Sequence, residues 1–282
     1  MKIGFCMLLW TGHVTRKHRK ILEDLKATGY DGVQIPIFEG EVSDYEKIGR
    51  MLDEIGLEAC GIAVFPTLKQ NPLSDKEADR KRALKHLQWI IDCTSAMNAS
   101  QVAGPLHQTI GHFTGHPPTK VEKSRARELH KRGGDYAAER NVQIVLEAIN
   151  RFECYFMNTM DDLSAYLDTV KHPAVTGMYD TFHANLEEKD PVAAYNRNYR
   201  NFAHVHISEN DRGVPGTGHV PWAATFKAIK SSGYDGWLTI EAFGRALPEL
   251  AAATRVWRDL HDRPEDVYRI GYRTIRDGWA AA

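Results

Sequence analysis

Short apolar runs alternate along the chain with longer segments in which apolar residues recur at helical spacing, and eight such pairs can be counted. The predicted strands are Lys2 to Met7, Gly32 to Ile37, Glu58 to Val64, Gln101 to Ala103, Val142 to Glu147, Val175 to Tyr179, Phe202 to Ile207 and Gly236 to Glu241. Most are rich in Val, Ile and Leu, as expected of parallel strands buried on both faces. The pattern predicts a (β/α)₈ barrel of the α/β class, and a doubly wound open sheet is the structural alternative.

The segments between these strands carry signals for helix starts and stops. One helix is predicted over Tyr45 to Ile55, and a long one runs from just after Asp75 to Met97. Further helices are predicted to begin near Pro118, Thr159, Pro191, Pro221 and Pro248. Beyond the eighth strand, Val256 to Leu260 and Val267 to Trp279 are predicted as extra C-terminal helices that pack across the barrel or against another subunit. Because no linker divides the chain, one domain is expected over residues 1–282.

Composition and charge narrow the function classes. The chain has 43% hydrophobic and 26% charged residues, a normal globular mix, and 36 Lys+Arg against 37 Asp+Glu give a net charge of −1. We therefore expect no nucleic-acid partner, and no apolar stretch approaches the roughly 20 residues needed to cross a membrane. The cysteines are far apart and form no C-x-x-C pair, which indicates a reduced, cytoplasmic protein without a thiolate metal site.

Polar residues with metal-ligand chemistry end four consecutive predicted strands. Glu147, Asp180 and Glu241 close strands five, six and eight, and strand seven carries His204 and His206 on one face. Each carboxylate alone is typical of a solvated rim residue or a helix cap. In a closed barrel, however, they converge at the carboxyl ends of the strands, and three carboxylates cannot share an apolar mouth without a cation.

This donor set is rich in hard oxygen ligands, so it favours Mn²⁺, Mg²⁺ or Co²⁺ over a closed tetrahedral zinc site. No organic cofactor is expected. His206 is favoured as the ligand because His204 lies one pleat deeper in the barrel, although the sequence leaves the reverse assignment open.

At these residues the sequence resembles the ketose 3-epimerase family, typified by D-tagatose 3-epimerase and D-psicose 3-epimerase, within the xylose-isomerase-like TIM barrels. The resemblance is carried by residues 146–153 (LEAINRFE), 180–188 (DTFHANLEE), 204–206 (HVH), 210–222 (NDRGVPGTGHVPW) and 240–243 (IEAF). These motifs are long, ordered and correctly spaced. The first half of the chain resembles the family mainly in its regular alternation of predicted strands and helices.

The resemblance implies a role for each matching residue. The metal ligands would be Glu147, Asp180, His206 and Glu241, with Mn²⁺ as the expected ion. Of these, Glu147 and Glu241 would also be the catalytic acid/base pair. The resemblance further implies a homodimer or homotetramer and a small-molecule sugar as substrate.

Three more residues would bind the substrate. By resemblance, Glu153, His183 and Arg212 would hold the oxygens on C1 and C2 of the sugar. Each also has a plain structural alternative: Glu153 pairs with Arg151 or a lysine, His183 caps a loop, and Arg212 is a solvated loop charge.

The segment after strand four departs from the family pattern. Residues 103–118 contain His107, His112 and His116 among glycines and prolines. We expect a lid or substrate wall here, with His107 contacting sugar hydroxyls, and a second metal site is the alternative. The glycine-rich residues 213–218 leave a phosphorylated substrate open as well.

These features predict a metal-dependent epimerase that inverts C3 of a free ketose through a cis-enediolate, because two opposed bases are needed to invert a carbon beside a carbonyl. Another metal-dependent isomerase, a dehydratase or a decarboxylase acting on a keto-sugar, sugar phosphate or keto-acid is the alternative. A metal-dependent endonuclease and a catalytically silent sugar-binding protein are more distant alternatives, and the neutral net charge disfavours the former.

Overall fold

Eight parallel strands close into a barrel in chain order in a computed structural model that describes all residues 1–282. The strands are β1 Lys2–Cys6, β2 Gly32–Pro36, β3 Glu58–Ile62, β4 Gln101–Gly104, β5 Gln143–Leu146, β6 Val175–Asp180, β7 Phe202–Ile207 and β8 Trp237–Ile240. Each strand pairs with the next, and β8 pairs with β1. The predicted barrel is therefore confirmed, and the open sheet is excluded.

Ten α-helices accompany the strands. They are α1 Arg19–Thr28, α2 Val42–Ile55, α3 Glu77–Ala96, α4 Lys120–Ala138, α5 Met160–Val170, α6 Thr181–Glu187, α7 Pro191–Asn198, α8 Trp222–Ser231, α9 Pro248–Thr254 and α10 Pro264–Ala281. Eight of them contact one another in a ring around the barrel, while α6 and α9 are short helices within the connections after β6 and β8. Except for Val256 to Leu260, the predicted helix starts agree with the structure to within three residues. None of the helices combines the length and the apolar character that a membrane span requires.

The C-terminal segment corrects one prediction. Residues Val256 to Leu260 form no helix, because Arg255 adopts a positive φ of 61° directly after α9 and turns the chain away. Val256 is buried instead in a small apolar cluster against which Leu260 packs. The second predicted helix, Val267 to Trp279, lies within α10, which contacts both α8 and α1. It thus closes the outer ring rather than crossing the barrel.

The interior of the barrel below the mouth is polar. His206 on β7 contacts Gln34 on β2, and His204 on β7 contacts Gln101 on β4. Since neither pair of strands is adjacent in the sheet, both contacts cross the barrel lumen. At the start of β2, a Cβ added at Gly32 would overlap the carbonyl oxygen of Glu58 and lie 2.6 Å from the ring of Trp237, so glycine is required there. The main apolar core of 64 residues includes strand residues and buried helix faces.

Candidate active site

Four buried side chains converge at the carboxyl ends of the strands. Glu147 and Glu241 directly follow β5 and β8, and their backbone amides continue the strand ladder by donating to Gly104 and Ile207. Asp180 is the last residue of β6, and His206 is the last residue but one of β7. One ligand atom from each of the four residues lies within 4.8 Å of all the others, and every side chain is at most 4% exposed.

His206 lies at the centre of this group. Its Nδ1 is 3.3 Å from Oδ2 of Asp180 and 3.6 Å from both Oε1 of Glu147 and Oε2 of Glu241. On the other side of the ring, Nε2 lies 3.0 Å from Oε1 of Gln34. Burial alone would lower the pKa of His206, but the three surrounding carboxylates raise it well above its usual value. Of the two histidines, His206 faces the carboxylates, whereas His204 contacts Gln101 below them.

Asp180 is held in place by the start of α6. Its Oδ1 accepts hydrogen bonds from the backbone amides of Phe182, at 2.7 Å, and His183, at 3.0 Å, which leaves Oδ2 facing the centre of the site. Burial alone would raise the pKa of Asp180, but the charge of Arg212, followed by that of His183, lowers it far below its usual range. The carboxylate is thus ionised and oriented.

The two glutamates differ in their surroundings. Burial raises the pKa of Glu147, and its Oε1 has no hydrogen-bond partner although it is shielded from solvent. Burial would also raise the pKa of Glu241, but the charges of His206 and Arg212 outweigh it and lower that pKa. A buried carboxylate oxygen without a donor is costly unless a cation binds it. Together with one oxygen each from Asp180 and Glu241 and Nδ1 of His206, the Glu147 oxygen forms a donor set that fits a divalent metal ion.

Arg212 reaches into the same mouth from the segment between β7 and α8. Its Nη1 donates to Oδ2 of Asp180 at 3.3 Å and to Oγ of Ser208 at 3.2 Å, and it forms an ion pair with Glu241. The side chain is 6% exposed. Arg212 is therefore not a solvated loop charge, and its guanidinium is one of the cationic groups beside the carboxylates.

His183 lies beside Arg212 and Glu147. Its Nδ1 accepts a hydrogen bond from the backbone amide of Asn150 at 3.0 Å. Its Nε2 lies 2.8 Å from Nη2 of Arg212, which can only donate, and 3.7 Å from Oε1 of Glu147. The contact to Asn150 agrees with the alternative in which His183 caps a loop. The opposite edge of the ring, which carries Nε2, faces the site.

Glu153 lies in the connection after β5. Its Oε1 accepts a hydrogen bond from Nδ2 of Asn150 at 2.7 Å. Arg151 forms its ion pair with Glu187, so the alternative in which Glu153 pairs with Arg151 is wrong. Asn150 also donates its backbone N–H to Nδ1 of His183, so one residue contacts both Glu153 and His183.

The three histidines after strand four do not converge. His107 is fully buried, with Nε2 3.3 Å from Sγ of Cys154 and its ring stacked on Phe156 at 5.4 Å, and burial lowers its pKa to about 3. His112 is half-buried and His116 is exposed. The alternative of a second metal site in this segment has no geometric support, because these histidines are absent from the one group of converging ligands. The contact of His107 with a sugar hydroxyl stays a prediction.

Two buried residues near the site escaped the sequence analysis. Gln34 is the single strongly polar residue of β2, and that isolated position was its only signal. Glu209 is fully buried, and nothing in its sequence surroundings marked it as such.

The carboxylate of Glu209 organises the segment that carries Arg212. Its two oxygens accept hydrogen bonds from three backbone amides and one indole: Asn210, Gly216, Val220 and Nε1 of Trp222. The backbone amide of Arg212 in turn donates to the carbonyl of Glu209. Although burial opposes it, these donors lower the pKa of Glu209. One carboxylate thus holds several points of the segment from residue 209 to residue 222.

Comparison with protein families identifies the scaffold. The model of the xylose isomerase-like TIM barrel family matches residues 22–274, which is most of the chain. The chain belongs to this family. The fold and the resemblance that the sequence indicated are thereby confirmed.

Several relatives within the family carry related names. The chain is 27% identical over 276 residues to a probable ketose 3-epimerase of Synechocystis sp., covering 98% of this chain and 96% of that protein. It is 29% identical over 274 residues to an L-ribulose 3-epimerase of Methylomonas sp., covering 95% and 94%. The crystal structure of D-allulose 3-epimerase from Methylomonas sp. in complex with D-allulose superimposes with a TM-score of 0.92 at 27% identity, covering 98% and 96%. These relatives are all named as epimerases, which supports the expectation of an isomerase.

Proposed function

We propose that this protein is a divalent-metal-dependent epimerase that inverts C3 of a free ketose. The observation that carries the proposal is the convergence of Glu147, Asp180, His206 and Glu241 around one point, with two of the carboxylates available as bases. Its similarity over nearly the whole chain to proteins named ketose 3-epimerases supports the choice of reaction.

The four converging residues would hold the ion, and Mn²⁺ is proposed, with Mg²⁺ or Co²⁺ as substitutes. When bound there, such an ion supplies Lewis-acid stabilisation of the negative charge that develops on O2 and O3 of the sugar. Asp180 and His206 serve only as ligands in this proposal, because their remaining atoms are engaged by the start of α6 and by Gln34.

Proton transfer at C3 falls to Glu147 and Glu241. These residues follow strands that are three positions apart in the barrel, so they approach the mouth from different sides. One glutamate removes the C3 proton to give a cis-enediolate between C2 and C3, and the other returns a proton to the opposite face.

Arg212 and His183 would orient the substrate. Arg212 presents N–H groups, and His183 presents Nε2, to the same small region beside Glu147 and Glu241. Donors that are already fixed in place there stabilise charge on O1 and O2 as the proton leaves C3. Glu153, which shares Asn150 as a hydrogen-bond partner with His183, is assigned to the hydroxyl at the C1 end of the sugar.

The experiment that tests this proposal is a substrate screen with added Mn²⁺. Free ketoses would be compared with ketose phosphates and keto-acids, and the C3 configuration of the product would be followed by NMR. We expect inversion at C3 of at least one free ketose, slowed by about 10²- to 10⁴-fold in Glu147→Gln. Turnover confined to ketose phosphates, aldose formation, or loss of CO₂ or water would overturn the proposed reaction.

A further inference from the structure

Gln34 makes a contact with the candidate metal centre that crosses the barrel. It belongs to β2, whereas His206 belongs to β7, and no strand pairing brings these two strands together. Oε1 of Gln34 nonetheless lies 3.0 Å from Nε2 of His206. Both side chains are fully buried, so water cannot substitute freely for either partner.

The direction of this hydrogen bond follows from what lies on the other side of the ring. Nδ1 of His206 faces three carboxylates and must carry a lone pair if it is to bind a metal ion, which puts the proton of the neutral ring on Nε2. Nε2 then donates and needs an acceptor. The amide oxygen of Gln34 is that acceptor, and the structure shows no other hydrogen-bond partner for Nε2.

The cost of keeping Gln34 at this position supports a specific role. Its neighbours along β2 are Val33 and Ile35, which are both fully buried and apolar. Nε2 of Gln34 is shielded from solvent and has no hydrogen-bond partner, and such a buried polar atom costs about 1–3 kcal/mol. An apolar side chain of similar size would avoid that cost but would remove the acceptor for His206.

We propose that Gln34 is a positioning residue of the metal centre, which fixes the tautomer and ring orientation of His206 by accepting its Nε2 proton. This inference rests on the proposed metal site but concerns a residue that does not itself bind the ion. Partners of this kind hold an imidazole ligand in its binding geometry, and their loss weakens metal affinity by about 10- to 100-fold.

The test measures Mn²⁺ binding to chelator-stripped protein by isothermal titration calorimetry. Gln34→Met keeps the length of the side chain but removes the acceptor, and Gln34→Glu keeps an acceptor oxygen. Gln101→Met is the matched control, because Gln101 contacts His204 in the same lumen but not His206. We expect about 10- to 100-fold weaker binding in Gln34→Met and little change in the other two variants.

The outcomes separate this inference from the proposed function. If the wild-type protein binds Mn²⁺ and a folded Gln34→Met binds it equally well, the role of Gln34 is overturned while the metal centre stands. Equal weakening in Gln34→Met and Gln34→Glu, or in Gln34→Met and Gln101→Met, overturns it too. A wild-type protein that binds no Mn²⁺, Mg²⁺ or Co²⁺ overturns the metal centre and this inference with it.

A second measurement needs no variant of Gln34. Long-range ¹H–¹⁵N NMR of protein with ¹⁵N-labelled histidine, loaded with diamagnetic Mg²⁺, reports which ring nitrogen of His206 carries the proton. The signal of His206 is identified by its absence from the spectrum of His206→Gln. A proton on Nε2 supports the proposal, and a proton on Nδ1 overturns it.

Discussion

Nε2 of His183 lies 3.7 Å from Oε1 of Glu147, at a depth where both side chains are at most 4% exposed. That separation is too long for a hydrogen bond, although the two groups are close enough to contact one small molecule together. His183 is held from behind by Asn150, and Oε1 of Glu147 has no donor. Both groups are therefore oriented toward the mouth and remain available there.

Replacing either glutamate is expected to leave only one of the two proton transfers at C3. In Glu147→Gln and in Glu241→Gln, C3 inversion is expected to fall by about 10²- to 10⁴-fold because one of the two bases is lost. At saturating Mn²⁺, each variant retains the opposite base and an amide oxygen as ligand, so exchange of the C3 proton with D₂O persists for one C3 epimer and not for the other. NMR of both epimers in D₂O measures this. Exchange that is lost for the same epimer in both variants would contradict a two-base mechanism.

Arg212 is expected to be needed for turnover because its N–H groups lie where charge develops on the sugar. Replacing it by methionine removes the donors and should lower kcat/KM by about 10²- to 10³-fold. Lysine restores the charge without the planar fork and should recover only part of the loss. Steady-state kinetics of Arg245→Met supply the control, because Arg245 is an exposed arginine paired with Asp259 after β8. Equal rates for Arg212→Met and the wild type would exclude the role.

Glu209 is expected to keep the segment from residue 209 to residue 222 in the conformation that presents Arg212. In Glu209→Gln an amide NH₂ replaces one oxygen and meets two donors, which should cost about 1–3 kcal/mol for each group left unpaired. Hydrogen–deuterium exchange should then accelerate within this segment and not in the barrel strands. Asp259→Asn, at an exposed ion pair, provides the comparison. Acceleration spread evenly over the strands would instead indicate a general loss of stability.

The same substitution can be placed in an Arg212→Lys background. If Glu209 acts on catalysis only by placing Arg212, then Glu209→Gln lowers kcat/KM in the wild-type chain and has little further effect in Arg212→Lys. Additive losses in the double variant would show that Glu209 acts by another route.

His130 should make the folded protein less stable at mildly acidic pH. Its Nε2 donates to the carbonyl of Leu106 at 2.7 Å and its Nδ1 accepts from Tyr166 at 2.5 Å, and burial lowers its pKa to about 4. Between its unfolded value of about 6.5 and about 4, the unfolded chain binds a proton that the folded chain does not. The free energy of unfolding should therefore fall as pH drops through this window, by up to about 3 kcal/mol.

Urea unfolding of the wild type and of His130→Gln between pH 7 and pH 4.5 measures this contribution. The difference between the two proteins should shrink as pH falls, because only the wild type carries the imidazole. A difference that is constant with pH would contradict the buried, neutral histidine.

The sequence predicted the barrel and the converging carboxylates because both depend on local patterns. Strand periodicity located all eight strands, and Glu147 and Glu241 were recognisable as the polar residues that end apolar runs. The pleat of β7 also favoured His206 over His204, since the two residues lie at different depths. These features require only a strand's direction and period.

Other parts of the structure depend on distances that no local pattern contains. Gln34 and His206 are 172 positions apart, and their contact is set by the width of the barrel. Val256 to Leu260 has the spacing of a short amphipathic helix, but the positive φ of Arg255 and packing into an apolar cluster decided its conformation. The short helix α6 was missed because it begins directly after β6, with Asp180 serving both as strand end and as helix cap.

The central claim is that one divalent ion held by Glu147, Asp180, His206 and Glu241 supports proton transfer at C3 of a ketose. It is tested most directly by incubating chelator-stripped protein with a ketose substrate in D₂O, with and without added Mn²⁺, and analysing the product by NMR. The account predicts a C3-inverted product that carries deuterium at C3, formed only after the ion is restored. The account is contradicted if the stripped protein inverts C3 at an undiminished rate. It is also contradicted if the inverted product formed in D₂O carries no deuterium at C3.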